Sequence, residues 1–122
     1  MSGTYEDLKV WQRAMELVTD IYQSTRGFPK EEIYCLTNQL RRAAISVPGN
    51  IAEGKGRASN KELMQFLNHA RGSTYEIQTQ LRIAERLGYL SEMQSQRLLQ
   101  QAAEVGRLLN GLIQSFRPAC VA

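Results

Sequence analysis

Arg71, Tyr75, Gln78, Arg82 and Arg86 recur at gaps of three and four residues, so a helix would carry them along one side. Guanidinium forks grip phosphate oxygens in pairs, and a tyrosine among them stacks on an unpaired base. The chemistry on offer is recognition of RNA. The same row also suits an exposed helix flank or a subunit contact. Spacing alone weighs these readings equally, because three arginines are few for a surface that tracks a backbone.

A second group surrounds Pro48: Arg41, Arg42, Ser46, Asn50, Glu53, Lys55 and Arg57. Leu36, Leu40, Ala43, Val47 and Ile51 recur there as one buried helical stripe would. A proline inside a helix removes a backbone hydrogen bond and crowds the preceding turn, at a cost of about 3 kcal/mol. The helix therefore ends at Val47 or bends at Pro48, and a kink there is the expectation taken forward. Arg42, Ser46, Gly49 and Glu53 share the face opposite the stripe. From it Arg42 and Glu53 would reach Glu76 and Arg71 on a neighbouring helix, and Ser46 and Asn50 would bond backbone groups freed by Pro48. Arg42, Ser46, Asn50, Glu53 and Glu76 are thus expected to form a structural polar network around the bend. Lys55 and Arg57, just beyond it, are left to meet a partner.

Catalytic patterns are missing. There is no Glu-x-x-His pair and no nucleophile elbow, and Glu53-Gly54-Lys55-Gly56-Arg57 lacks the Gly-Lys-Ser/Thr ending of a phosphate loop. His69 is solitary, and Cys35 and Cys120 are too far apart to make a metal site with it by a familiar spacing. Cys35 sits beside Leu36 and reads as a buried reduced thiol; Cys120 falls in a tail. The expectation is a protein that is not an enzyme and takes no cofactor or metal.

The elements that position these residues are four helices, at about 8–25, 30–54, 60–87 and 92–116, within one domain over 1–122. The first has two adjacent stripes, Leu8, Trp11, Met15, Val18 and Tyr22 beside Ala14, Leu17 and Ile21. Gly27 suits a left-handed cap at its end, and Pro29 opens the next helix. Ser59 with Glu62, and Ser91 with Gln94, have the spacing of capping boxes. Leu63, Phe66, Leu67, Ala70, Thr74, Ile77, Leu81 and Ala84 form the third stripe, and Leu98, Ala102, Val105, Leu109, Leu112 and Phe116 the fourth. No stretch alternates as a strand would. The fold class is all-α, an antiparallel up-down-up-down four-helix bundle.

A chain of 122 residues with 43% hydrophobic content can bury a core. The net charge of +3 permits a polyanionic partner without requiring one. Residues 41–86 carry eight basic and four acidic side chains, so the positive surplus belongs to the middle of the chain. The start has no signal-peptide pattern and no apolar run approaches a membrane span, so the protein is expected to be cytoplasmic, away from membranes.

Leu8-Lys9-Val10-Trp11-Gln12, Phe28-Pro29, Gln39-Leu40-Arg41-Arg42-Ala43 and Val47-Pro48-Gly49-Asn50-Ile51-Ala52-Glu53-Gly54 stand in order. After them come Phe66-Leu67, Ala70-Arg71-Gly72-Ser73, Glu76, Leu87-Gly88-Tyr89-Leu90 and Glu104 to Leu112. Together they resemble the four-helix-bundle proteins encoded in bacterial 23S ribosomal RNA intervening sequences, over nearly the whole chain. The Pro-x-Asn-Ile-Ala-Glu-Gly segment is the specific part. Gly49 departs from the pattern, standing where serine is common. The resemblance implies a homopentameric ring, and a likeness to the basic accessory proteins of diversity-generating retroelements, which bind nucleic acid and a reverse transcriptase.

Combined with the charge distribution, this implies an oligomeric RNA-binding or ribonucleoprotein accessory protein. Arg41, Lys55, Arg57, Lys61, Arg71, Tyr75, Arg82 and Arg86 are the expected contacts with structured RNA. The competing reading is a protein-interaction scaffold that binds no nucleic acid, motivated by the double stripe of the first helix and the apolar fourth.

Overall fold

The computed structural model describes residues 3–116. Four helices dominate it: α1 Lys9–Thr25, α2 Leu36–Lys55, α3 Asn60–Arg86 and α4 Glu92–Phe116. Short 3-10 turns at Tyr5–Asp7 and Lys30–Glu32 precede α1 and α2. Among the described residues there is no strand. Cys120 lies outside them.

Each amphipathic stripe turns inward. Ala14, Leu17 and Ile21 of α1 meet Leu40, Val47 and Ile51 of α2, Leu67, Ile77 and Leu81 of α3, and Leu98, Val105 and Leu109 of α4 in one core. The second stripe of α1 is only partly covered: Leu8, Trp11 and Val18 pack at the core's edge, and Met15 is exposed. The contacts between helices fix their directions. Arg41 meets Thr25 while Ile51 and Leu8 share the other end of the bundle. Ser46 bonds Ser73, and Gly54 lies against Leu63 and Phe66. Arg71 bonds Asn110, and Gln101 bonds Asp20 while Glu104 bridges Arg13. In the α1–α2, α2–α3 and α1–α4 pairs rising numbers meet falling ones.

The ends follow local chemistry. Ser91 and Gln94 form a reciprocal capping box, each side chain taking the other's amide. At Ser59 the hydroxyl accepts from the Glu62 amide. At the end of α3 the Tyr89 amide donates to the Ala84 carbonyl and the Gly88 amide to Glu85, with Gly88 at φ +80°. This is a Schellman closure, which needs a left-handed residue and therefore favours glycine.

Three expectations are corrected. Gly27 is not left-handed; Gly88 is the one glycine with positive φ among the described residues. The chain leaves α1 through ordinary turn geometry, with the Phe28 amide on the Thr25 carbonyl. The second helix begins at Leu36 and not near residue 30, because Pro29 opens only the single turn Lys30–Glu32. A Glu32 carboxylate oxygen then accepts the Leu36 amide and caps α2 in place of a serine or asparagine. That turn leaves Cys35 exposed, where a buried thiol was expected. Of the two readings at Pro48, the helix runs on: α2 continues through the proline to Lys55.

Candidate nucleic-acid interface

On α3, Lys61, Arg71, Tyr75, Arg82 and Arg86 fall within about 80° of arc on the side away from the core, and their backbone positions span about 37 Å. The burial of Ala70, Thr74, Ile77, Leu81 and Ala84 orients this row, since a helix cannot turn one face inward without presenting the other. Lys61, Arg82 and Arg86 are exposed and have no ion-pair partner among the described residues. Tyr75 is 55% exposed, and an exposed aromatic ring is a surface on which a base can stack. Thr79, Arg82, Ile83, Glu85 and Arg86 border a shallow depression of about 440 Å³ at the far end of the row.

Arg71 is less free. Its terminal nitrogens donate to the side-chain oxygens of Asn68 and Asn110, at 2.9 and 3.2 Å. Asn68 was legible as a neighbour three positions earlier on the same helix face; Asn110, from α4, left no such signal. Arg57 is also engaged, donating to Glu53 at 3.3 Å and lying 4.8 Å above the Phe66 ring. Such an exposed pair holds a side chain only loosely. Lys55 is exposed beside it at the end of α2. Lys55, Arg57 and Lys61 thus sit at the α2–α3 connection, where the α3 row begins.

Arg41 stands apart. It is half-buried on the α1 flank of α2, its Nε donating to the Thr25 hydroxyl at 2.8 Å and its guanidinium 4.7 Å above the Tyr22 ring. It does not join the α3 row.

The expected polar network around Pro48 forms around different partners. The Ser46 and Ser73 hydroxyls share a hydrogen bond of 2.8 Å across the α2–α3 seam. Asn50 donates to the Ser46 carbonyl and hydroxyl at 2.8 and 2.9 Å. The carbonyl that Pro48 leaves without its helical donor belongs to Ala44, so Asn50 braces the helix without filling that gap. Glu53 takes Arg57 and not Arg71. Arg42 and Glu76 line one groove with Ser46, Ser73 and Gln80, but no ion pair joins them. Ser73, which closes the seam, escaped the sequence reading because its partner lies 27 positions away.

Among the described residues no three of His, Cys, Asp and Glu converge as metal ligands would. Among the same residues no helix is long and apolar enough to cross a membrane.

The bundle is similar to the solved structure of a protein of unknown function from the S23 ribosomal protein family of Bacteroides thetaiotaomicron. The TM-score is 0.80 at 22% identity, covering 86% of this chain and 95% of that one, so the likeness carries the fold. No curated protein gives a significant match. Residues 6–111 match the profile of the 23S rRNA-intervening sequence protein family, which takes in the seam around Pro48 and the whole α3 row. The chain belongs to the 23S rRNA-intervening sequence protein family.

Proposed function

We propose that the protein is a non-enzymatic, oligomeric RNA-binding or ribonucleoprotein accessory protein of the cytoplasm, with the outer face of α3 as its RNA-contact surface. The observation that carries this is the exposed row of Lys61, Tyr75, Arg82 and Arg86, whose cations have no carboxylate partner among the described residues. Unpaired arginine attracts phosphate without first giving up an internal ion pair. Membership of a family named for a ribosomal RNA element supports RNA as the polyanion. One row is modest, and a ring of copies, such as the pentamer implied by the family resemblance, would multiply it. Ile45, Ile83 and Leu87 are 43–54% exposed, apolar surface of the kind an interface between copies would cover.

The test is a binding titration with structured ribosomal RNA fragments at two salt concentrations. Binding should weaken with salt, and the double substitution Arg82→Glu, Arg86→Glu should lower affinity and flatten the salt slope by about 0.7–0.9 per lost phosphate contact. RNA binding that ignores both salt and the double substitution would refute the assignment. A scaffold that binds no nucleic acid instead predicts no RNA binding at low salt and an unchanged protein partner after the same charge reversal. Light scattering reports the subunit number.

A further inference from the structure

At the corner where α1 hands over to α2, the chain forms a depression of about 440 Å³, within the range of small-molecule sites. Phe28, Pro29 and Ile33 make one apolar wall. Arg26, Lys30 and Arg41 stand around it, and none has an ion-pair partner among the described residues. Among the described residues no carboxylate lines it: the nearby Glu32 is turned to the Leu36 amide and the Tyr89 hydroxyl.

Two observations separate this corner from a chance cluster of surface cations. Arg41 is preset, since Thr25 accepts its Nε and Tyr22 lies under its guanidinium, while its terminal nitrogens find no acceptor among the described residues. Thr25 is itself anchored, its hydroxyl donating to the Ile21 carbonyl at 2.8 Å. The second observation is Thr37, which lines the same depression. It is only 2% exposed, and its hydroxyl has no hydrogen-bond partner among the described residues. A buried hydroxyl without a partner is costly, and this one belongs to a residue that lines the depression, so a ligand oxygen reaching it would supply the acceptor it lacks.

We propose that this corner binds a phosphomonoester carried on an apolar body, the phosphate held by Arg26, Lys30, Arg41 and the Thr37 hydroxyl, the body lying on Phe28, Pro29 and Ile33. Three cations favour a doubly charged phosphate over a carboxylate, and guanidinium forks match its oxygens. The site is independent of the α3 row, and its source is a free organic phosphate or the 5′-phosphate of an RNA end.

The experiment titrates the full chain with phenyl phosphate and follows the Ile33 methyl resonance. A saturable shift is expected, with a Kd at least about tenfold below that for inorganic phosphate, since the ring adds apolar burial. Arg26→Gln should weaken binding about tenfold, for loss of a charged hydrogen bond. Thr37→Val should weaken it about threefold yet leave Tm unchanged or higher, because in the free protein it removes an unpaired hydroxyl. A purely structural threonine would instead lower Tm and leave the Kd alone. No Ile33 shift, equal binding of inorganic phosphate, or indifference of both variants would overturn the proposal. A shift with 5′-phosphorylated but not 5′-hydroxyl RNA supports it with an RNA end as the source; a shift with phenyl phosphate alone supports it with a free organic phosphate. Arg26→Gln should leave RNA affinity through α3 unchanged, so either site can fail without the other.

Discussion

The two flanks of α2 are built on opposite plans. Toward α3 the helices come close: Gly54 has no side chain to hold them apart, and a short Ser46–Ser73 hydrogen bond crosses the seam, with Asn50 holding Ser46 from within α2. Toward α1, near the start of α2, larger groups intervene, with Arg41 over Tyr22, Phe28 against Tyr89, and the connector between the helices bridging the gap. One flank is closed and gives rigidity; the other stays partly open and leaves room for a ligand. Small side chains in register allow the first, while a connector anchored at only a few points creates the second.

The largest expected effect breaks the closed flank. A Cβ at Gly54 would lie 2.9 Å from the Phe66 Cβ and 3.1 Å from Leu63 Cδ1. Both neighbours are anchored in α3, so Gly54→Val should separate the helices and destabilise the fold by about 1–3 kcal/mol. Denaturant unfolding measures it. Gly49, five positions earlier on the same helix, has open space where its Cβ would stand. Gly49→Ala should therefore stabilise by about 0.5–1 kcal/mol through helix propensity alone. Equal effects at the two glycines would show that the seam is not close-packed at Gly54.

Next comes the stitching. Ser46→Ala leaves the Ser73 hydroxyl without Ser46 and removes one of the two Asn50 contacts, for an expected loss of about 1 kcal/mol. Removing both hydroxyls should cost less than the sum of the single changes, because no buried donor is then left unmet. A double-mutant cycle with no coupling would mean that the two serines do not bond.

The same contrast explains what could be read from the sequence. The closed flank is periodic: Leu40, Ala43, Val47 and Ile51 face Leu67, Ala70, Ile77 and Leu81 from stripes that the three-four spacing already displays. The outward row of α3 follows by subtraction. The open flank has no period. Pro29 with Glu31 and Glu32 has the pattern of a helix start, but Glu32 caps the following helix through its side chain. The partners of Arg41 lie on α1, 16 and 19 positions back, where no spacing rule reaches. Arg26 and Lys30 carry no motif, and only the fold brings them beside Arg41 and Thr37. Pro48 marked the right helix, but of the bonds around it two stay within α2 and one runs to α3, and none fills the gap that the proline leaves.

The smallest expected effect concerns the anchor of the open flank. The Tyr89 hydroxyl donates to the Glu32 carboxylate at 2.8 Å, and its ring packs 5.4 Å from Phe28. That hydrogen bond, followed by burial and the charge of Glu32, raises the phenol's pKa above its ordinary 10.0, because a phenolate facing a carboxylate loses a bond and gains a repulsion. A group whose pKa is raised on folding contributes stability that is fully present below its unfolded value and is lost as pH climbs through the folded one. The clasp should therefore hold at neutral pH and release above pH 10. Tyr89→Phe keeps the ring against Phe28 and removes only the bond, so its Tm should lie slightly below that of the parent at neutral pH. Above pH 10 the difference should shrink as the parent's clasp ionises. A Tm difference that stays constant through that range would mean that Glu32 is not the partner of Tyr89. The connector would then need another anchor, and the open corner another reason for keeping its shape.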